Sequence, residues 1–197
     1  MIIVTGGPGT GKSYTAAKIE EMTEGLTKLS YDAVKEKNWD TFGFDNKKQK
    51  EALNGFALEE FYLHVRKAMR ASGTLLLEYP FYQYHKPRLE ELAKEYGYNV
   101  ITVYLYGDSK TVYERSVKRD HGGKRHPGHL TDCYHKEEYS EEEPAAVDAV
   151  PDYEGFCRWM RERNYNIGLG HTIAVDVTDF TRIDYEELIK EIRLRSE

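Results

Sequence analysis

Gly6-Gly7-Pro8-Gly9-Thr10-Gly11-Lys12-Ser13 fits G-x-x-x-x-G-K-[ST], the pattern of a phosphate-binding loop. The flanks give the match its weight. Met1 to Thr5 (MIIVT) reads as a short buried strand, and Ser13 to Met22 reads as a helix. A phosphate needs backbone N–H groups that converge on it, and a glycine-rich turn at a helix N-terminus supplies them. Glycines at 6, 7, 9 and 11 permit positive φ and close approach of backbone to an anion. Lys12 would bring a positive charge to the β- and γ-phosphates of a nucleotide, and Ser13 a hydroxyl to Mg²⁺. Gly7, Pro8, Gly9, Thr10, Gly11 and Tyr14 complete the expected nucleotide contacts. A glycine-rich turn that binds nothing is the bland alternative, and the strand before, the helix after and Lys12-Ser13 argue against it.

The 197 residues suffice for one α/β domain with a lid, expected to span 1–197 with the lid at about 121–151. A hydrophobic content of 40% and a charged content of 31% fit a soluble globular chain. The net charge of −6 disfavours a general nucleic-acid binder, which would present a basic face. No apolar run approaches the ~20 residues of a membrane span. With nothing before the first strand, no signal or transit peptide is expected. Cys133 and Cys157 read as free thiols of a reducing compartment, so the expected location is cytoplasmic.

Strand and helix signals alternate along the chain. Leu26 to Ser30 is a short candidate strand, followed by a polar stretch, 31–46, with Trp39, Phe42 and Phe44 among charges. From Lys47 to Ser72 apolar residues recur at helical spacing, with Gly55 a weak point inside. Thr74 to Glu78 is an apolar run ending in a carboxylate, as in the interior of a parallel sheet. A helix over 87–96, a strand over 99–106 and a helix from Ser109 to about Asp120 come next. The period then breaks from His121 to Pro151, as in a functional lid or mobile loop. A helix over 152–163, a strand over 172–177 and a final helix capped near Asp184 close the order. Strands separated by helices imply parallel pairing. The expected architecture is a three-layer α/β/α sandwich with about five parallel strands and ligands at their carboxyl ends.

That rule gathers the candidate chemistry. Asp32, two residues past the second strand, could accept a proton from an attacking hydroxyl, although a turn or cap is the commoner use of such an Asp. Glu78 closes the third strand, where an acid usually orients a water on Mg²⁺; its length also lets it act as the base. Arg115 and Arg119 share a helix face, and Arg125 follows with Lys124, His126 and His129. Such cations could clamp a transferring phosphoryl group, against the alternative of a solvated basic face. His121, His126, His129, Cys133 and His135 match no standard zinc spacing and read as a solvent-exposed His-rich loop.

With these residues on the page, the chain resembles the P-loop kinases of the polynucleotide-kinase, zeta-toxin and chloramphenicol-phosphotransferase type. It is similar to the AAA-domain-labelled predicted kinases, which are not ring ATPases. Ser30-Tyr31-Asp32 resembles the segment that carries their base, and Lys35 falls where relatives place a basic residue toward the acceptor. Lys124-Arg125-His126-Pro127-Gly128-His129 resembles their lid, and Asp176-Val177-Thr178 the end of their last strand beside the adenine. Glu78 departs from the usual Asp, and the acidic insert Glu137-Glu138 to Glu141-Glu142-Glu143 has no counterpart.

The resemblance implies ATP and Mg²⁺ as cofactors, with Arg115, Arg119 and Thr178 also against the nucleotide. It implies γ-phosphate transfer to a hydroxyl, and it names no acceptor. Lys12, Asp32, Glu78, Arg115, Arg119 and Arg125 are the expected catalytic residues. Alternatives are a nucleoside, nucleotide or polynucleotide 5′-hydroxyl kinase, with Tyr79 and Phe81 gripping a base, and a nucleotide-dependent switch with slow hydrolysis.

Overall fold

The computed structural model describes residues 1–123, 125–139 and 151–196. Lys124 and the acidic cluster at 141–143 lie outside them. Five strands, β1 (Ile2–Gly6), β2 (Thr27–Ser30), β3 (Leu75–Glu78), β4 (Ile101–Tyr106) and β5 (His171–Asp176), form one sheet in the order β2-β3-β1-β4-β5. Every pairing is parallel. The central strands are continuous apolar runs because both faces are covered. Helices α1 (Lys12–Glu21) and α7 (Tyr185–Ser196) cover one face through Ile19, Leu188, Ile189 and Ile192. The opposite face packs under α2 (Tyr31–Phe42), α3 (Lys47–Arg70) and α4 (Lys86–Glu95), through Val34, Phe61, Val65, Leu89 and Leu92. Helices α5 (Ser109–Asp120) and α6 (Tyr153–Arg163) complete the expected α/β/α sandwich.

Helix α2 departs from the sequence reading, which leaves 31–46 as a polar stretch. Its buried positions are Tyr31, Val34, Lys35, Asn38 and Trp39, which is helical spacing. Lys35 and Asn38 occupy two of those positions, so the period carries no clean apolar stripe. Asn38 satisfies its amide by donating to Glu60 Oε2 (2.8 Å) and to the Val34 carbonyl (3.1 Å). Lys35 lies under the faces of Tyr31, Trp39 and Tyr79 and pairs with Asp32.

Residues 125–139 also differ from a free-standing lid. They are irregular, with 3-10 turns at Pro127–His129 and Lys136–Glu138, but they dock on α2. Tyr134 and Phe44 exchange two backbone hydrogen bonds of 2.8 Å as an isolated antiparallel bridge. Trp39, Phe44 and Tyr134 form a separate small core. Trp39 and Phe44 thereby pin 125–139 to α2, while Phe42 is exposed.

Candidate active site at the carboxyl ends of β1, β2 and β3

The phosphate-binding loop joins β1 to α1 at the centre of the sheet. Gly6, Gly9 and Gly11 adopt positive φ (152°, 82° and 78°). A Cβ on Gly9 would stand 2.2 Å from the Val112 carbonyl oxygen, so glycine is required there for space as well. Gly7, expected to use the same freedom, does not have positive φ; its missing side chain makes room for Met160, which a Cβ would meet at 2.3 Å. Thr10 Oγ1 and Lys12 Nζ both donate to the Gly7 carbonyl, at 2.8 and 2.9 Å. Gly11 caps α1 without a side chain to satisfy the first N–H groups of the helix. This cradle suits an anion. Burial lowers the Lys12 ammonium to about 8, against the pull of Glu78 and Asp32, with Arg119 and Arg125 adding to the depression. A phosphate beside it would reverse that shift.

Register brings the acids to the loop. Val4 of β1 and Ser30 of β2 both align with Glu78, and Asp32 follows Ser30 in the first turn of α2. Glu78 is buried and accepts from Ser13 Oγ at 3.2 Å. Burial raises its pKa, Lys12 opposes this, and Asp32 adds to the rise. For Asp32, burial pushes the pKa up, but Lys35 at 2.6 Å, His129 and Lys12 outweigh it and hold the carboxyl at about 2. Ser13, Asp32 and Glu78 line one cleft of about 580 Å³ together with Arg119 and Arg125. The volume is that of a small-molecule site.

Asp120, which the sequence reading missed, holds the two arginines. Its Oδ1 accepts from Arg119 Nε at 2.8 Å and from Arg125 Nη1. Arg115 does not join them. Its guanidinium donates to the carbonyls of Val177 and Thr178, the latter at 2.8 Å, and covers the Phe180 ring at 4.1 Å. Four residues along α5 move a side chain by about 6 Å, enough to place Arg115 at the β5 end and Arg119 in the cleft. Tyr14 stands on that same side, with Tyr185 and Phe180 at 5.8 and 6.5 Å between ring centroids. A Cβ on Gly11 would meet Phe180 at 2.7 Å. The predicted residues thus divide into a cleft group and a group around Phe180 that includes Arg115 and Thr178.

Two histidines of the His-rich segment, His126 and His129, form the remaining wall, and for them the reading of a solvent-exposed loop needs correction, whereas His121 and Cys133 are exposed as expected. His129 and His126 have side chains only 8% and 17% exposed. His129 Nε2 meets Glu36 at 2.8 Å and His126 Nε2 meets Asp40 at 2.9 Å, while His126 Nδ1 accepts from the Gly128 N–H. His135 meets Asp45 at 2.8 Å, and Lys136 and Tyr134 both donate to Asp40 at 2.7 Å. Among the described residues no three His, Cys, Asp or Glu side chains group as metal ligands. Phe81, considered as a grip for a nucleobase, is fully buried in the core, and Tyr79 packs edge-on against Tyr31.

An AAA domain family model matches residues 2–146. No curated protein sequence matches the chain. Among solved structures, one from Chloroflexus aurantiacus J-10-fl, described as a presumptive kinase, superposes with a TM-score of 0.73 at 22% identity, covering 100% of this chain and 97% of the other. A gluconokinase from Sinorhizobium meliloti 1021 gives 0.54 at 15% identity, over 98% and 89% of the two chains. Chaetomium thermophilum Kti12, solved with ADP-AlF3, gives 0.55 at 14% identity, over 100% and 98%. These likenesses establish the P-loop α/β fold. Among the described residues no helix is long and apolar enough to cross a membrane.

Proposed function

The chain belongs to the AAA domain family, and we propose that it is an ATP-dependent phosphotransferase that moves the γ-phosphate to a hydroxyl of a small acceptor. The observation that carries this reading is the shared cleft: Ser13, Asp32, Glu78, Arg119 and Arg125 converge on one small-molecule volume beside the loop. A nucleotide switch also uses an acid for Mg²⁺ and an arginine, but a further carboxylate, Asp32, standing with Glu78 on an open small-molecule volume suits a bisubstrate reaction.

In this reading the loop N–H groups and Lys12 bind the β- and γ-phosphates. Ser13, and Glu78 through a water, would hold Mg²⁺, which would supply charge neutralisation to the phosphates. Asp32 accepts a hydrogen bond from the acceptor hydroxyl and aims its oxygen at the γ-phosphorus. As the new P–O bond forms, the bond to the ADP oxygen breaks, and the hydroxyl proton passes to Asp32 and then to solvent. A carboxyl held near 2 is a weak base, which suits a transition state in which bond formation lags and the proton moves late. Lys12, Arg119 and Arg125 stabilise the charge on the transferring oxygens and on ADP.

The test is phosphoryl transfer measured across an acceptor panel in Asp32→Asn, Glu78→Gln and Lys12→Ala. Asp32→Asn should lower kcat by about 10²–10³-fold, with nucleotide affinity close to that of the parent. Glu78→Gln should raise the Mg²⁺ concentration needed for half-maximal rate. Full turnover in Asp32→Asn would transfer the base role to Glu78. Slow hydrolysis that no acceptor stimulates would favour the nucleotide switch instead.

A further inference from the structure

The cleft distributes its charge unevenly. Its lining carboxylates are Asp32, Glu36 and Glu78, with Asp120 behind Arg119 and Arg125. Asp32 is paired with Lys35, Asp120 is shared by Arg119 and Arg125, and Glu78 accepts from Ser13 with Lys12 nearby. Among the described residues Glu36 alone of these has no lysine or arginine partner. Its partner among the described residues is His129 Nε2 at 2.8 Å, and its side chain remains 37% exposed beside the cleft. Burial holds His129 down to about 4, with Lys35 and Arg125 helping, so the imidazole is neutral near pH 7. It donates a hydrogen bond to Glu36 without cancelling its charge.

The cations of the cleft are committed elsewhere. Lys35 is stacked among Tyr31, Trp39 and Tyr79 and held by Asp32. Arg119 and Arg125 are tied to Asp120. In the reading above, their outer faces serve the transferring phosphoryl group. An acceptor with its own phosphate or carboxylate would meet Glu36 with no cation to receive it, and like charges in a partly desolvated cleft repel strongly. Bound ATP would make the cleft more negative still.

Resting on the phosphotransferase reading, we infer that the acceptor is a small hydroxyl compound bearing an amine, as in an amino sugar or aminocyclitol, whose ammonium is received by Glu36. Acidic acceptors, including nucleotides and polynucleotides, are disfavoured at the same position. The docked 125–139 segment walls the cleft on the α2 side through the ties of His129 to Glu36 and of His126 to Asp40.

The experiment measures radiolabel transfer from ATP and ADP release with three sets of probes. The aminated set is glucosamine and kanamycin, the neutral set glucose and inositol, and the acidic set gluconate, glucose 6-phosphate and a 5′-hydroxyl oligonucleotide. Transfer should occur in the aminated set. Glu36→Gln should cut the kcat/KM preference for an amine over its hydroxyl analogue by about tenfold or more, equivalent to about 1.4 kcal/mol, and Glu36→Asp should retain most of it. A merely structural role for Glu36 would not move that ratio. Transfer confined to neutral or acidic probes, or a preference unchanged in Glu36→Gln, would overturn the inference and leave the phosphotransferase reading standing. Lys12-dependent hydrolysis that none of the three sets stimulates would overturn both.

Discussion

Lys12 shows how a residue's surroundings set its working range. The loop buries an ammonium that nucleotide phosphates need in its charged form, and burial brings its proton loss down to about 8. Nucleotide affinity should therefore hold below that pH and weaken by about tenfold per pH unit above it, because binding must then take up a proton. Titration calorimetry with an ATP analogue from about pH 7 to pH 10 checks this; a flat profile would show that Lys12 stays protonated in the free protein. Residues of this kind were legible in the sequence because the loop's chemistry demands identities at adjacent positions. Asp120 and Glu36 were not, since a carboxylate's meaning depends on its partner. Glu36 and His129 stand 93 positions apart, and His126 and Asp40 stand 86 apart. The matching spacing of Glu36 and Asp40 on one helix and of His126 and His129 on one turn is the available signal, and Lys35 and Asn38 on the inward face of that helix obscure it.

At the scale of elements, α1, α3, α4, α5, α6 and α7 and all five strands were legible, with ends shifted by one or two positions. Most carry either an apolar run or a helical period with a cap, as where Asp108 accepts from the Thr111 N–H at 2.9 Å; the exception is the edge strand β2, none of whose residues is buried. Helix α2 was not legible because its inward face includes a lysine and an asparagine that only tertiary partners can satisfy. Within α3, Gly55 has no such excuse. It is exposed, lies in mid-helix, and a Cβ there would meet nothing within 4 Å. Gly55→Ala should stabilise the fold by about 0.5–1 kcal/mol through helix propensity and a less free unfolded chain. Urea unfolding would show this as a higher midpoint at constant slope; a lower midpoint would mean that the helix is strained at that turn.

For the whole molecule, two histidines couple folding to acid. Burial holds His85 and His129 down to about 4, below the ordinary value of 6.5. Between pH 4 and 6.5 the unfolded chain binds protons at these positions that the folded chain refuses, so stability rises with pH across that window. Thermal midpoints should fall as pH drops from 6.5 towards 4, and His129→Gln should flatten part of the slope; an unchanged slope would remove His129 from the account. The parallel sheet was legible at this scale, because alternating strands and helices restrict the topology. The docking of 125–139 was not, because it rests on pairs distant in sequence rather than on any local period. That docking has a kinetic consequence. The helix that carries Asp32 and Glu36 and the segment that carries Arg125 are fastened by the Tyr134–Phe44 bridge and by side chains on Asp40. A displacement of the arginine segment away from α2 would have to break these ties first, so the expected motion carries 125–139 and α2 together.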